Sequence, residues 1–193
     1  SYDFGWSQSG ESELAGSQTQ WDFDLTYFSA DLQNEIATVY DANFMSQPIN
    51  LETDSDRSGI EVSGDLVIGT TWQLAIAYTR LSAEENGVEE VRRPKHSGQV
   101  RLSGDFADSK GRASIQFLHS GRRTDNEFIY ATEATRANLQ PYTLTNIGIS
   151  YDLRPNLTLT GRVDNLTDTE YQQVFGYNSP GRYVSFGAKL NFD

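Results

Sequence analysis

One feature constrains this chain more than any other: apolar and polar residues alternate with a period of two, about nine times over. The pattern runs Tyr2, Phe4, Trp6; Trp21, Phe23, Leu25, Tyr27; Ile60, Val62, Gly64, Leu66, Ile68; Trp72, Leu74, Ile76, Tyr78. It continues through Val100, Leu102, Gly104, Phe106; Ala113, Ile115, Phe117; Ile147, Ile149, Tyr151, Leu153; Leu157, Leu159, Gly161, Val163; and Val184, Phe186, Ala188, Leu190, Phe192. Successive side chains of a strand point to opposite faces, so each run predicts a strand with one apolar face. The intervening positions carry Asp22, Asp24, Glu61, Asp65, Gln99, Arg101, Asp105, Thr158, Arg162 and Asp164, a polar face dense in charge. No helical spacing is sustained, and the expected fold class is all-β.

The connections predict an up-and-down order. Gly69-Thr70-Thr71, Asp108-Ser109-Lys110-Gly111 and Arg154-Pro155-Asn156 are short turns, whereas long polar segments cover about 41–58, 82–96, 122–140 and 166–181. Short turns at one end and long loops at the other suit a transmembrane β-barrel, with Trp21, Tyr27, Trp72, Tyr78 and Tyr151 as interfacial girdles. Periodicity alone fits a soluble sandwich or small barrel equally well, since an apolar face can also be a core. Strand length, unequal connections and charge on nearly every polar face favour the barrel. Nine strands that begin at the long-loop side, at 1–9, are an odd number, so further strands are expected N-terminal to them.

Composition narrows the function classes. A net charge of −12 argues against nucleic acid as a partner, because phosphate neutralisation needs clustered Lys and Arg. With no Cys there is no disulfide framework and no thiolate metal site. His96 and His119 are the only histidines, and no nucleophile–base spacing surrounds them, so the chain is not expected to be an enzyme. Glu52, Asp54 and Asp56 could offer hard oxygens to calcium, the alternative being a solvated loop. No other cofactor is expected.

Several segments carry a family resemblance. Asp164-Asn165-Leu166-Thr167-Asp168 with Glu170-Tyr171, then Gly176-Tyr177-Asn178-Ser179-Pro180-Gly181-Arg182 before the last amphipathic strand, resembles the C-terminal signature of TonB-dependent outer-membrane receptors. Leu25-Thr26-Tyr27-Phe28 running on to Ile36, and Ser58-Gly59-Ile60-Glu61, look like barrel segments of that family. Glu90 to His96, Tyr142-Thr143-Leu144 and the Gly176-Tyr177 loop look most like its cobalamin (vitamin B12) branch. The resemblance implies a 22-stranded barrel whose last nine strands this chain would supply, in contact with outer-membrane lipid. It also implies a plug domain and coupling to the TonB complex through regions N-terminal to this chain.

The ligand would be cobalamin or, as the nearest variant, an iron chelate such as a siderophore or haem. A soluble β-module is the alternative of a different class. By the resemblance Arg92 and Tyr177 fall where loops touch ligand, and Phe128 lies near a third such position. An Arg fork and a Tyr plate suit a large polar ligand. The plain alternative is that Arg92 and Arg93 are solvated charges and Tyr177 packs its own loop. Gly176, Pro180 and Gly181 read as turn formers. The family's barrels usually end on an aromatic residue, whereas here Asp193 follows Phe192.

Overall fold

A computed structural model describes the chain except Ala15, Ala42, Phe44, residues 128–134 and Asp193. Nine strands lie side by side in one antiparallel sheet: β1 (Tyr2–Leu14), β2 (Ser17–Leu32), β5 (Ser55–Ile68), β6 (Trp72–Glu85), β8 (His96–Phe106), β9 (Gly111–Ser120), β12 (Tyr142–Arg154), β13 (Leu157–Asp164) and β14 (Tyr183–Leu190). Each pairs with its sequence neighbours in that order, as an up-and-down meander requires. A two-residue strand, β7 (Val88–Glu89), pairs with the end of β6. Two detached hairpins complete the inventory: β3 (Ile36–Tyr40) with β4 (Ser46–Asn50), and β10 (Arg123–Glu127) with β11 (Thr135–Leu139).

The register carries the apolar face across every junction. Phe4 stands opposite Tyr27, Leu25 opposite Val62, Leu74 opposite Leu102, Ile115 opposite Ile147, and Val163 opposite Val184. A slip of one residue would turn a whole strand over, so the alternation fixes these pairings. No described residue packs over this face as a second layer. Among the described residues the buried hydrophobics are Ala83 and Leu139, while Phe186 is 87% and Phe4 74% exposed. A single layer with that much bare apolar surface has no core of its own in water, which removes the sandwich reading. Lipid is the solvent that matches it.

The chain alternates between short and long connections, with β1–β2, β5–β6, β8–β9 and β12–β13 at the short-turn end. Gly16 and Gly69 take the left-handed backbone that these tight turns need, and the β8–β9 turn puts Ala107, Asp108 and Ser109 there as well. Near this end three aromatics lie over a glycine on the facing strand: Trp21 over Gly10, Trp72 over Gly104 and Phe106 over Gly111. A Cβ at Gly104 would meet the Trp72 ring at 2.6 Å, and one at Gly111 the Phe106 ring at 2.2 Å. The glycines are therefore seats for an aromatic band. Phe106 also stacks on Tyr151, with centroids 6.2 Å apart.

The structure corrects three boundaries. β1 runs on to Leu14 rather than ending near residue 9, because Gln8, Gly10 and Ser12 break its apolar pattern without breaking its backbone pairing. The run expected from Leu25 to Ile36 stops at Leu32, where Asn34 takes a positive φ. Segment 41–58, expected as a plain loop, contains β4 and the start of β5, and segment 122–140 contains β10 and β11. β10 buries the polar Arg123 and Asp125 rather than apolar residues, so its sequence shows no apolar face. Strands of up to 16 residues span about 50 Å, longer than the roughly 25 Å apolar band of such barrels, so they project well past it.

Candidate ligand site at the long-loop end

The last long connection is held by its own polar residues. Asn165, 3% exposed with a φ of 51°, lends its amide in both directions: Oδ1 accepts from Thr169 N–H at 2.8 Å and Nδ2 donates to Thr169 O at 2.9 Å. Its backbone N–H donates to Asn146 Oδ1 at 2.9 Å, tying the loop to β12. Asp168 Oδ1 accepts from Arg182 N–H at 2.7 Å, and a Cβ at Gly181 would come within 2.9 Å of that oxygen. Gly181 is thus a turn former required by a close approach.

Asp125 joins three connections. Fully buried, it accepts from Arg92 Nε at 2.8 Å and Asn126 N–H at 2.8 Å through Oδ1, and from Phe175 N–H at 2.7 Å through Oδ2. Burial pushes its carboxyl up, but the hydrogen bonds from Phe175, Asn126 and Arg92 outweigh burial and hold it below the ordinary carboxylate value. Beside it Arg123, 4% exposed, donates to Ser120 Oγ and to the carbonyl of Gln172. Its guanidinium lies 5.3 Å from the centre of the Tyr142 ring, and Tyr142 meets Tyr171 at 4.5 Å between centroids.

A second network steadies the same end. Glu90 accepts from Arg57 at 2.7 Å and Arg93 at 3.3 Å, and Arg57 reaches Glu35 at 3.0 Å. Ser55 donates to Glu35 at 2.6 Å and, with help from Arg57, holds that carboxyl below its ordinary value despite partial desolvation.

Beside the Tyr142–Tyr171 pair opens a cavity of about 680 Å³, bounded by Asn138, Gln140, Tyr142, Asp168, Tyr171 and Asn178 among others. Amides, hydroxyls and aromatic faces mix in its wall. Its size falls within the range of small-molecule sites, and its chemistry suits reversible capture of a large polar ligand with apolar edges.

The residues anticipated from sequence distribute as follows. Arg92 is half exposed, adopts a φ of 61° and commits Nε to Asp125. Tyr177, 61% exposed, stands two residues from the Phe175 amide that the same carboxylate holds, and neither Arg92 nor Tyr177 is in the lining of the cavity. Phe128 lies outside the described residues. Arg93 pairs with Glu90. Among the described residues no three carboxylates or imidazoles converge where a cation could sit, and Asp56 faces Asp31 and Glu84 across strands rather than Glu52 and Asp54. His96 Nδ1 is 2.7 Å from the Tyr78 hydroxyl and His119 Nδ1 is 3.0 Å from Thr143 Oγ1. Asp125, Arg123 and Tyr171 were missed as site residues. The one available signal was Arg123 and Asp125 at a two-residue spacing inside a polar run.

The fold and the loop architecture together match one family. The β-barrel description of TonB-dependent receptors covers residues 1–166. The chain belongs to the TonB-dependent receptor family. These receptors' barrels lie in the outer membrane, which accounts for the bare apolar face. A vitamin B12 transporter from Photobacterium profundum is 26% identical over 192 residues, 96% of this chain and 30% of its own length. One from Vibrio cholerae is 25% identical over 141 residues, 72% of this chain and 22% of its own.

Solved receptors share the fold. The ferripyoverdine receptor of Pseudomonas aeruginosa superposes with a TM-score of 0.70 at 14% identity, over 91% of this chain and 26% of its own. The ferric-catecholate import receptor of Escherichia coli K12 gives 0.69 at 18% identity, over 96% and 30%. The chain spans less than a third of the length of these receptors.

Proposed function

We propose that this chain forms part of the wall and several ligand-capturing loops of a TonB-dependent active transporter, and that its ligand is cobalamin. The cavity at the long-loop end, mixed in polarity and backed by the Asp125 cluster, carries the reading. Similarity to vitamin B12 transporters along almost the whole chain supports cobalamin over other scarce ligands. An iron chelate is the second reading, supported by the likeness to ferripyoverdine and ferric-catecholate receptors.

In this reading Arg92 presents the remaining N–H groups of its fork to ligand oxygens while Nε holds the loop, and Tyr177 offers an apolar plate with a polar tip. No bond is made or broken in the ligand, so no enzyme chemistry is required. β1 and β14 are the two edges of the sheet, and backbone groups in lipid must be paired, so further strands of a larger barrel adjoin them. A plug domain inside that barrel and the TonB complex are the coupling partners.

Equilibrium binding of cobalamin and of ferric siderophores to the full-length receptor tests the proposal. Tyr177→Ala and Arg92→Ala are each expected to weaken cobalamin binding about tenfold, which corresponds to roughly 1.4 kcal/mol. Unchanged affinity in both variants overturns the site. Tight binding of a ferric chelate without cobalamin binding replaces the ligand.

A further inference from the structure

A second concavity lies away from the loops, on the apolar outer wall. It is an open groove of about 550 Å³ whose lining includes Trp72, Leu102, Gly104, Phe106, Gly161 and Phe186. The strand register shows why it exists. One cross-strand row reads Trp72, Gly104, Ala113, Ile149, Gly161, Phe186: a large aromatic at each end, with three small residues and one isoleucine between them, and the Trp72 ring lying over Gly104. The next row toward the long loops is Leu102, Ile115, Ile147, Val163 and Val184, and the next toward the short turns includes Phe106, Tyr151 and Leu159. The row forms a trough walled by bulky residues on its long-loop side, while Gly111 and Ala188 leave it more open toward the short turns. It crosses β6, β8, β9, β12, β13 and β14, five inter-strand gaps or about 24 Å.

The trough is continuous with the lipid-facing belt, so hydrocarbon is what meets it. Its rim at the short-turn end is cationic. Lys110 ends the β8–β9 turn, and its carbonyl accepts from Asp152 N–H at 2.7 Å, which places it beside the end of β12. Past the bulge there, Arg154 pairs with Leu157 and so shares the outward phase of Leu157 and Leu190. Neither Lys110 nor Arg154 has an ion-pair partner among the described residues. Asp108 shares the turn, whereas Asp152 has the opposite phase and accepts from Thr158 Oγ1 at 2.6 Å.

We infer that this groove retains one phospholipid of the short-turn leaflet, an acyl chain lying in the trough between Trp72 and Phe186 and the phosphate meeting Lys110 and Arg154. A chain laid against small residues and fenced by aromatic rings touches protein on three sides. An ordinary annular lipid touches on one, so the seated lipid exchanges more slowly and binds at lower concentration.

Trp72 is the built-in reporter. In the full-length receptor with every tryptophan other than Trp72 replaced by phenylalanine, Trp6 and Trp21 included, its fluorescence in detergent micelles is titrated with phosphatidylglycerol or phosphatidylcholine brominated on the acyl chains. The expected result is quenching that saturates at one lipid per protein, with phosphatidylglycerol effective at several-fold lower mole fraction. Gly161→Leu fills the trough; the ideal Cβ there meets Ile149 at 3.4 Å and Phe186 at 3.6 Å, ordinary contacts that leave the sheet intact. That variant is expected to need about tenfold more lipid. Lys110→Gln with Arg154→Gln is expected to erase the preference for phosphatidylglycerol while leaving saturation. Ala113→Leu is a second filling variant should Gly161→Leu misfold. Quenching that rises linearly, equally for both lipids and equally in the filled variants, means annular contact only and overturns the inference. So does quenching that tracks dimer formation by light scattering, which would assign the groove to a second copy.

Discussion

Asp125→Asn removes one acceptor from the centre of the loop cluster and changes almost nothing else in shape. The aspartate uses Oδ1 for Arg92 and Asn126 and Oδ2 for Phe175, while asparagine has a single oxygen and must turn an NH2 toward one of those donors. With Oδ1 kept on Arg92, the Phe175 N–H faces another donor in a fully buried site. A buried donor left unmade costs about 1–3 kcal/mol. Arg92 is half exposed, so its cation turns to water and adds little. A loss near 2 kcal/mol raises the opening equilibrium of the last long loop roughly thirty-fold. Hydrogen exchange resolves this, because local openings register amide by amide. Phe175 and Arg92, whose own N–H donates to Thr124 O at 2.7 Å, are expected to exchange about thirty-fold faster, while the paired amides of β12 and β13 stay unchanged. Because the folded value of Asp125 lies below its unfolded one, its stabilisation is complete above the ordinary carboxylate range. It is lost as pH falls through the depressed value. Protection of Phe175 should therefore decline only in acid, and the variant should lack that step. Equal protection of Phe175 in both proteins at neutral pH would refute the clamp.

Two further outcomes follow from the sheet. Gly104→Val drives a side chain into the Trp72 ring and is expected to cost about 1–3 kcal/mol, read as a lower melting temperature with a shifted tryptophan emission. Val100 and Gln99 are adjacent in β8 but face lipid and lumen respectively, so Val100→Arg should destabilise by about 2–4 kcal/mol and Gln99→Arg by far less. Comparable unfolding of the two in a denaturant titration of refolded protein would contradict the assigned faces.

Much of this molecule was legible in its residues. Wherever a strand separates two media, each side chain is chosen by its medium, and a period of two is written into the chain; Val100 and Leu102 against Gln99, Arg101 and Ser103 mark a strand with one apolar face. Alternation also excluded register slips by an odd number of residues, since those would turn polar residues toward lipid. The loop motif from Asp164 to Arg182 was legible as text, although its work, the Asn165 and Asp168 hydrogen bonds, was not.

What sequence left undecided is what depends on residues far apart in the chain. β10 buries Arg123 and Asp125 rather than apolar residues, and β3, Ile36–Tyr40, carries no period-two alternation, so neither hairpin shows in the pattern. Asp125 looks like one more surface carboxylate until residues 92 and 175 fold onto it. The groove at Gly104, Ala113 and Gly161 needs three small residues from three strands brought into one row. Sequence by itself therefore determined which face of each strand meets lipid, because the membrane acts on every residue singly. Only the tertiary structure decided which loops hold one another and where the wall is hollow, because those properties arise from pairs that pairing registers and loop closures bring together.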